Sequence, residues 1–183
     1  MTTIYLDTCC LNRPFDDQTQ DRIYLEAEAI LLILDRLETR KWEWVGSEIL
    51  DFEIEQTPDQ ERRYRVKLLA TYVHRSISVG QTEIRRAQQL EALGFHSFDS
   101  LHLACAESGN ASIFLTTDDR LLRLAERISK ELRVRVENPL TWLNEVQKDE
   151  YTNYDIGANP AGGSGGTGSR IGTSGNGALP TTV

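Results

Sequence analysis

An apolar run that ends in a carboxylate occurs twice in this chain, and nothing else in it constrains the fold as much. Thr3-Ile4-Tyr5-Leu6 leads into Asp7-Thr8, and Ile113-Phe114-Leu115 passes through Thr116-Thr117 into Asp118-Asp119. Strands of a parallel sheet covered on both faces read as near-continuous apolar runs. Their C-terminal ends open onto the crevice where such sheets bind ligands. Two strands that finish in aspartate therefore aim negative charge at one place. Gathered carboxylates repel one another, which raises their pKa values unless a cation sits between them. A divalent metal site is the economical reading.

The rest of the chain supplies matching elements. Strands are expected at 3–6, 43–45, 76–79, 113–115 and 133–136. A helix is expected over about 21–39, with Ala27, Ile30, Leu31, Leu34 and Leu37 on one face. Others are expected at 48–56, stopped before Pro58, and at 60–73, 82–93 and 98–107. Leu121, Ala125, Ile128 and Leu132 stripe another from Asp118, and Pro139 opens a last short one. Strands alternating with helices predict an α/β sandwich with a mostly parallel sheet.

The 183 residues suffice for one domain, expected over residues 1–148. Residues 149–183 form a Gly/Ser-rich tail in which Arg170 is the only charged side chain beyond residue 156, and such composition predicts disorder. No apolar run is long enough to span a bilayer, and the start lacks the basic, apolar pattern of a secretion signal, so a cytoplasmic protein with no membrane partner is expected. Three cysteines, two of them adjacent, make no disulfide framework and no zinc set. The net charge of −8 argues against a broad basic nucleic-acid surface, but a cation-filled acidic site and local arginine clusters are compatible with it.

Four acidic positions fall at element ends that this topology can bring together: Asp7, Glu53, Asp99 and Asp118. Each of the last three has a local alternative. Asp99 could cap its helix, Asp118 or Asp119 could do the same, and Glu53 belongs to an acid-rich run that could be a solvated face. Thr8, Thr116 and Thr117 could hydrogen-bond the acids or a phosphate. His102 sits one turn after Asp99, either as a base or as a bonded core histidine. Arg13, the cluster Arg62, Arg63 and Arg65, and Arg85-Arg86 are the candidate backbone contacts.

Four segments in this order resemble a PIN-domain nuclease, the fold shared by VapC-type toxins. They are Tyr5-Leu6-Asp7-Thr8, Ser47-Glu48-Ile49-Leu50-Asp51-Phe52-Glu53, Phe98-Asp99-Ser100-Leu101-His102-Leu103-Ala104 and Leu115-Thr116-Thr117-Asp118-Asp119-Arg120. The opening Asp-Thr-Cys-Cys departs from the commoner aspartate-threonine-asparagine start and suggests a less typical branch. The resemblance implies a three-layer α/β/α sandwich on a five-stranded parallel sheet. It implies that Asp7, Glu53, Asp99 and Asp118 form the acidic cluster of a metal-dependent endoribonuclease acting on RNA. Mg²⁺ or Mn²⁺ suits an all-oxygen donor set. Asp7 and Asp99 are then the central metal ligands, Asp118 a direct or water-mediated one, and Glu53 a rim residue that positions water or accepts a proton. Thr116 and Arg13 are the expected substrate contacts. An antitoxin protein and a homodimer are the partners implied. A PIN-like scaffold without turnover, working by binding another protein, is the alternative.

Overall fold

Parallel strands cannot be joined by tight turns, so the chain returns through helices that cover both faces of the sheet. The computed structural model describes residues 1–157. Its five strands are β1 (Thr3–Leu6), β2 (Glu43–Ser47), β3 (Arg75–Ile77), β4 (Ile113–Leu115) and β5 (Arg135–Glu137). They lie in the order β3-β2-β1-β4-β5, every neighbouring pair parallel. The helices are α1 (Thr8–Asn12), α2 (Asp21–Glu38), α3 (Glu48–Glu55), α4 (Gln60–Ala70), α5 (Gln81–Ala92), α6 (Ser97–Ser108), α7 (Asp119–Arg127) and α8 (Pro139–Gly157). The expected three-layer α/β/α sandwich is therefore the architecture found.

Alternation along the strands divides the core in two. Ile4, Leu6, Trp44, Ile113 and Leu115 point to one face, where Leu11, Ile30, Ile33, Leu37, Leu50, Val66 and Trp142 cover them. Tyr5, Val45 and Phe114 point to the other, under Ile49, Leu90, Leu103, Cys105 and Leu121. Both faces of the central strand are buried, which is why β1 and β4 read as unbroken apolar runs.

Several local expectations are corrected. The segment after Asp7 forms a helix that the sequence pattern does not announce; α1 is five residues of mixed, weakly helical composition, too short to show a period. Leu31 lies outside the buried face of α2, at 44% exposure, while Ile33 and Glu26 lie within it. The buried arc is centred between Ile30 and Leu37, and Leu31 falls on its edge. α8 is not short: it runs to Gly157, past residue 149, through a polar stretch with no helix breaker. Residues 158–183, where most of the expected tail falls, lie outside the described residues. No helix among the described residues is long and apolar enough to cross a membrane.

The chain steps from β1 outward through β2 to β3, then crosses back to lay β4 on the other side of β1. The C-terminal ends of β1 and β4 therefore flank a topological switch point, the place where open α/β sheets form a crevice.

Candidate active site

Pairing between β1 and β4 continues one residue past both strands, because Asp7 N–H donates to the Leu115 carbonyl at 3.0 Å. That register sets Asp7 beside Thr116, whose hydroxyl donates to Asp7 Oδ2 at 2.7 Å. The same hydroxyl accepts from Asp118 N–H at 3.2 Å. Thr116 is fully buried, so it orients Asp7 and the start of α7. Its hydroxyl proton is given to Asp7, and Thr116 is not among the residues that line the cleft.

Ser47 ends β2 and caps α3, its Oγ accepting from Leu50 N–H at 3.3 Å. Glu53 follows six residues on, turned back toward β1. Its Oε2 accepts from the Thr8 hydroxyl at 2.5 Å and lies 2.8 Å from His102 Nε2. Tyr5 OH lies 2.7 Å from His102 Nδ1 and 2.5 Å from Ser47 Oγ. One polarity satisfies every member: Ser47 donates to Tyr5, Tyr5 to Nδ1, and Nε2–H to the Glu53 carboxylate. Burial pushes the Glu53 pKa up, but the interaction with His102 and the Thr8 bond outweigh it, so the group stays below its ordinary value. Burial, chiefly, holds the Tyr5 phenol well above its ordinary pKa, so it remains a donor. His102 is thus the buried, bonded histidine of the two alternatives, but one wired to the acidic site. His102→Leu is expected to lower stability by about 1–3 kcal/mol, since buried partners lose their bonds. His102→Gln, with an amide N–H near the place of Nε2, is expected to lose less; denaturant melts of both variants check this.

Asp99 occupies the first turn of α6, where the helix N-cap is His96, so the capping alternative fails for Asp99. Its Oδ2 accepts from Arg120 at 2.6 Å. Burial first, and then the charges of Asp7 and Asp118, raise its pKa against the opposing pull of Arg120 and His96. That mutual repulsion is the electrostatic mark of carboxylates brought together at a shared site. Asp118 does cap α7, its Oδ1 accepting from Arg120 N–H at 2.7 Å and Leu121 N–H at 3.1 Å. Asp119 turns away to a bidentate pair with Arg22 at 2.8 and 2.6 Å.

Asp7, Glu53, Asp99 and Asp118 line one cleft of about 370 Å³, with Phe52 and Phe98 stacked 6.0 Å apart at its lip. A larger hollow of about 630 Å³, between α7 and β5, contains none of the four. Asp7, Glu53 and His102 offer possible metal-ligand atoms within 4.8 Å of one another. Both His102 nitrogens are already bonded, however, so the carboxylate oxygens are the donors free to hold a cation. An oxygen set fits Mg²⁺ or Mn²⁺.

The expected arginines are mostly committed elsewhere. Arg13 lies 3.2 Å from Asp16 and, through Nε, 3.0 Å from Glu26, an ion pair without hydrogen-bond alignment. Arg13 is not among the residues that line the cleft. Arg62 bonds Asp16 and the Phe15 carbonyl, Arg63 the Thr57 carbonyl, Arg65 pairs with Glu61, and Arg86 with Glu107. Two supports of the site are absent from the sequence reading: Cys9, whose Sγ lies 3.1 Å from Asp7 Oδ2, and Arg120. Arg120 directly follows Asp118-Asp119, and that adjacency is the available signal.

Comparison with curated proteins finds no match. Among solved structures the chain is similar to FitAcB from Neisseria gonorrhoeae, at 16% identity and a TM-score of 0.50, covering 74% of this chain and 97% of that one. VapBC2 from Rickettsia felis bound to a DNA fragment from their promoter matches at 16% identity and 0.47, covering 75% and 98%. VapBC-1 from nontypeable Haemophilus influenzae matches at 15% and 0.49, over 75% and 98%. At such identity the likeness to FitAcB speaks to the fold alone. The PIN domain family model matches residues 4–127, a span that runs from β1 to the end of α7 and contains all four cleft carboxylates. This chain therefore belongs to the PIN domain family.

Proposed function

We propose that the chain is a metal-dependent endoribonuclease that hydrolyses RNA phosphodiester bonds. The observation that carries this reading is the meeting of Asp7, Glu53, Asp99 and Asp118, from four separate parts of the chain, in one cleft at the switch point of the sheet. Asp7, Asp99 and Asp118 would hold Mg²⁺ or Mn²⁺. When bound, the ion supplies Lewis-acid activation of the phosphodiester and of the attacking water. Thr116 and Cys9 fix the Asp7 carboxylate, so its free oxygen faces the cleft. Glu53 is kept ionised by His102 and Thr8, which suits it to orient water or take a proton at the rim. The test is cleavage of RNA by the parent with Mg²⁺ or Mn²⁺, against Asp7→Asn and Asp118→Asn. Loss of cutting in both variants supports the reading, and equal cutting in all three ends it.

The same proposal makes the chain the toxin of a cytoplasmic toxin–antitoxin pair. Tyr24, Leu25, Leu31 and Leu32 are apolar side chains of α2 that are each 44–49% exposed, which suits coverage by a protein partner. Membership of the PIN family, together with the resemblance to VapC-type toxins, supports the expectation of an antitoxin. Sedimentation of the chain alone separates this from self-coverage in a homodimer.

A further inference from the structure

An acidic cleft on a chain with an overall charge of −8 needs some other feature to hold an RNA strand beside the metal site. One hollow among the described residues has the opposite sign. Arg120, Arg123 and Arg127 recur at helical spacing on α7, with Leu124 between them at its buried edge. Together with Gly94 they line a surface hollow of about 320 Å³ that contains no acidic side chain. Asp119 and Glu126 line the neighbouring hollow toward β5, where Arg123 meets them at the ridge between the two, whereas Arg120 and Arg127 do not line it. Asp119 is further occupied by Arg22.

Two of these arginines differ from Arg13, Arg62, Arg63, Arg65 and Arg86 in the availability of their charge. Arg120 reaches from the hollow to Asp99 Oδ2 at 2.6 Å, and also approaches the Gly94 carbonyl at 3.4 Å. Arg123 and Arg127 are exposed and make no side-chain hydrogen bond or ion pair among the described residues. Gly94 floors the hollow at φ +107°, a left-handed conformation that keeps side chains out of the turn between α5 and α6. An exposed guanidinium that makes no hydrogen bond, repeated along one helix face, is suited to successive phosphate oxygens.

We infer that Arg123 and Arg127, continued by Arg120, form a phosphate-binding track that carries the backbone of a single RNA strand from the surface of α7 to the Asp99 side of the cleft. This rests on the ribonuclease reading above. Contact is electrostatic and reads no bases, so the track fixes position and direction of the strand without selecting its sequence. Its proximity to Asp99 places the scissile bond a short step from the held phosphates.

The experiment measures binding of a fluorescent single-stranded RNA in EDTA, across a salt series, for the parent, for Arg123→Gln/Arg127→Gln and for Arg40→Gln/Arg85→Gln. The last pair removes the same charge from outside the hollow. Loss of the two track contacts is expected to raise Kd roughly tenfold and to reduce the log–log salt slope by about 1.4, at about 0.7 per phosphate on a single strand. The control pair is expected to change neither by as much. Thermal melts check that both doubles are folded. Equal effects of the two pairs, or none, overturn the track while leaving the ribonuclease reading to its own cleavage test. Binding of poly-glutamate as tight as that of RNA, lost in the same double variant, also overturns it, because the hollow would then be a seat for an acidic protein. A parent that neither binds nor cuts RNA removes the reading beneath it as well.

Discussion

Asp99→Asn is expected to abolish metal-dependent RNA cleavage and, in chelator, to melt at or above the temperature of the parent. The two effects have one cause. Asp99 is half-buried and faces the charges of Asp7 and Asp118, and those influences together outweigh its pair with Arg120. Its folded pKa lies above its ordinary unfolded value. Between the two values the folded state holds the proton more tightly, so its contribution to stability falls as pH rises through that window. At neutral pH the folded protein therefore carries an unfavourable charge, and asparagine removes it. The Arg120 pair given up is partly exposed, and such pairs are worth only about 0–1 kcal/mol. Activity moves the other way. Asparagine keeps the shape but gives up the negative charge that would hold the cation, and a loss of about 10²-fold or more in rate is the expected scale for removing one organised electrostatic group. The parent should also gain melting temperature on addition of Mn²⁺ at pH 7, with the variant gaining less. Glu53 behaves oppositely to Asp99: its pKa is held down, so its contribution is present at neutral pH and fades as pH falls through that lowered value. A melting series from pH 7 to about pH 3, with the parent beside Asp99→Asn, reads both signs. An Asp99→Asn protein that melts clearly below the parent in chelator would contradict the repulsion argued here.

Glu26→Ala is expected to destabilise the fold by about 3 kcal/mol, the lower end of the range for breaking a buried ion pair. The Glu26 side chain is 2% exposed and lies among cationic partners. Its Oε1 accepts from Arg22 Nε at 2.9 Å and from Asn138 Nδ2 at 2.8 Å, and Oε2 lies 3.0 Å from Arg13. One carboxylate thereby joins α2 to the turn that follows α1 and to the residue that precedes α8. Removing it leaves the Arg13 guanidinium, 17% exposed, with Asp16 as its remaining ion pair. At the usual entropy of unfolding for a chain of this size, the loss corresponds to about 6–12 °C in melting temperature. Glu26→Gln keeps the shape and the Asn138 contact, and is expected to lose less. Calorimetric scans of the three proteins measure the difference. A Glu26→Ala melt within about 1 °C of the parent, against a normal slope of about 2–4 °C per kcal/mol, would show that the pairing stabilises nothing.

The two carboxylate-ended strands are legible because burial on both faces strips polar residues from them, so Asp7 and Asp118 stand out as the first charged side chains after each apolar run. Ser47 and Glu53 are legible as a spacing, since a cap and a residue six positions on are both fixed by the same short helix. The supports of the site are less accessible. Thr116 is close to Asp118 in sequence, but its carboxylate partner is Asp7, 109 positions away, and only strand register brings them together. Arg13 reads as a free cation beside the first acid, whereas its partner Glu26 lies in a helix whose apolar stripe gives no sign of a buried charge. The α7 arginines are hidden because the stripe Leu121, Leu124 and Ala125 dominates that helix; which cations have partners is decided across the fold, not along the chain. α1 escapes notice for want of length, and α8 reads short because a polar composition looks like a boundary even where the helix continues.

The central claim is that acids distant in sequence meet to form one cation-binding cleft. Titration of the parent, Asp7→Asn and Asp99→Asn with Mn²⁺ in a calorimeter tests it without any substrate. Saturable binding by the parent, lost or strongly weakened in each variant, is the predicted result. No heat of binding to the parent, or the same affinity in all three proteins, would contradict the account.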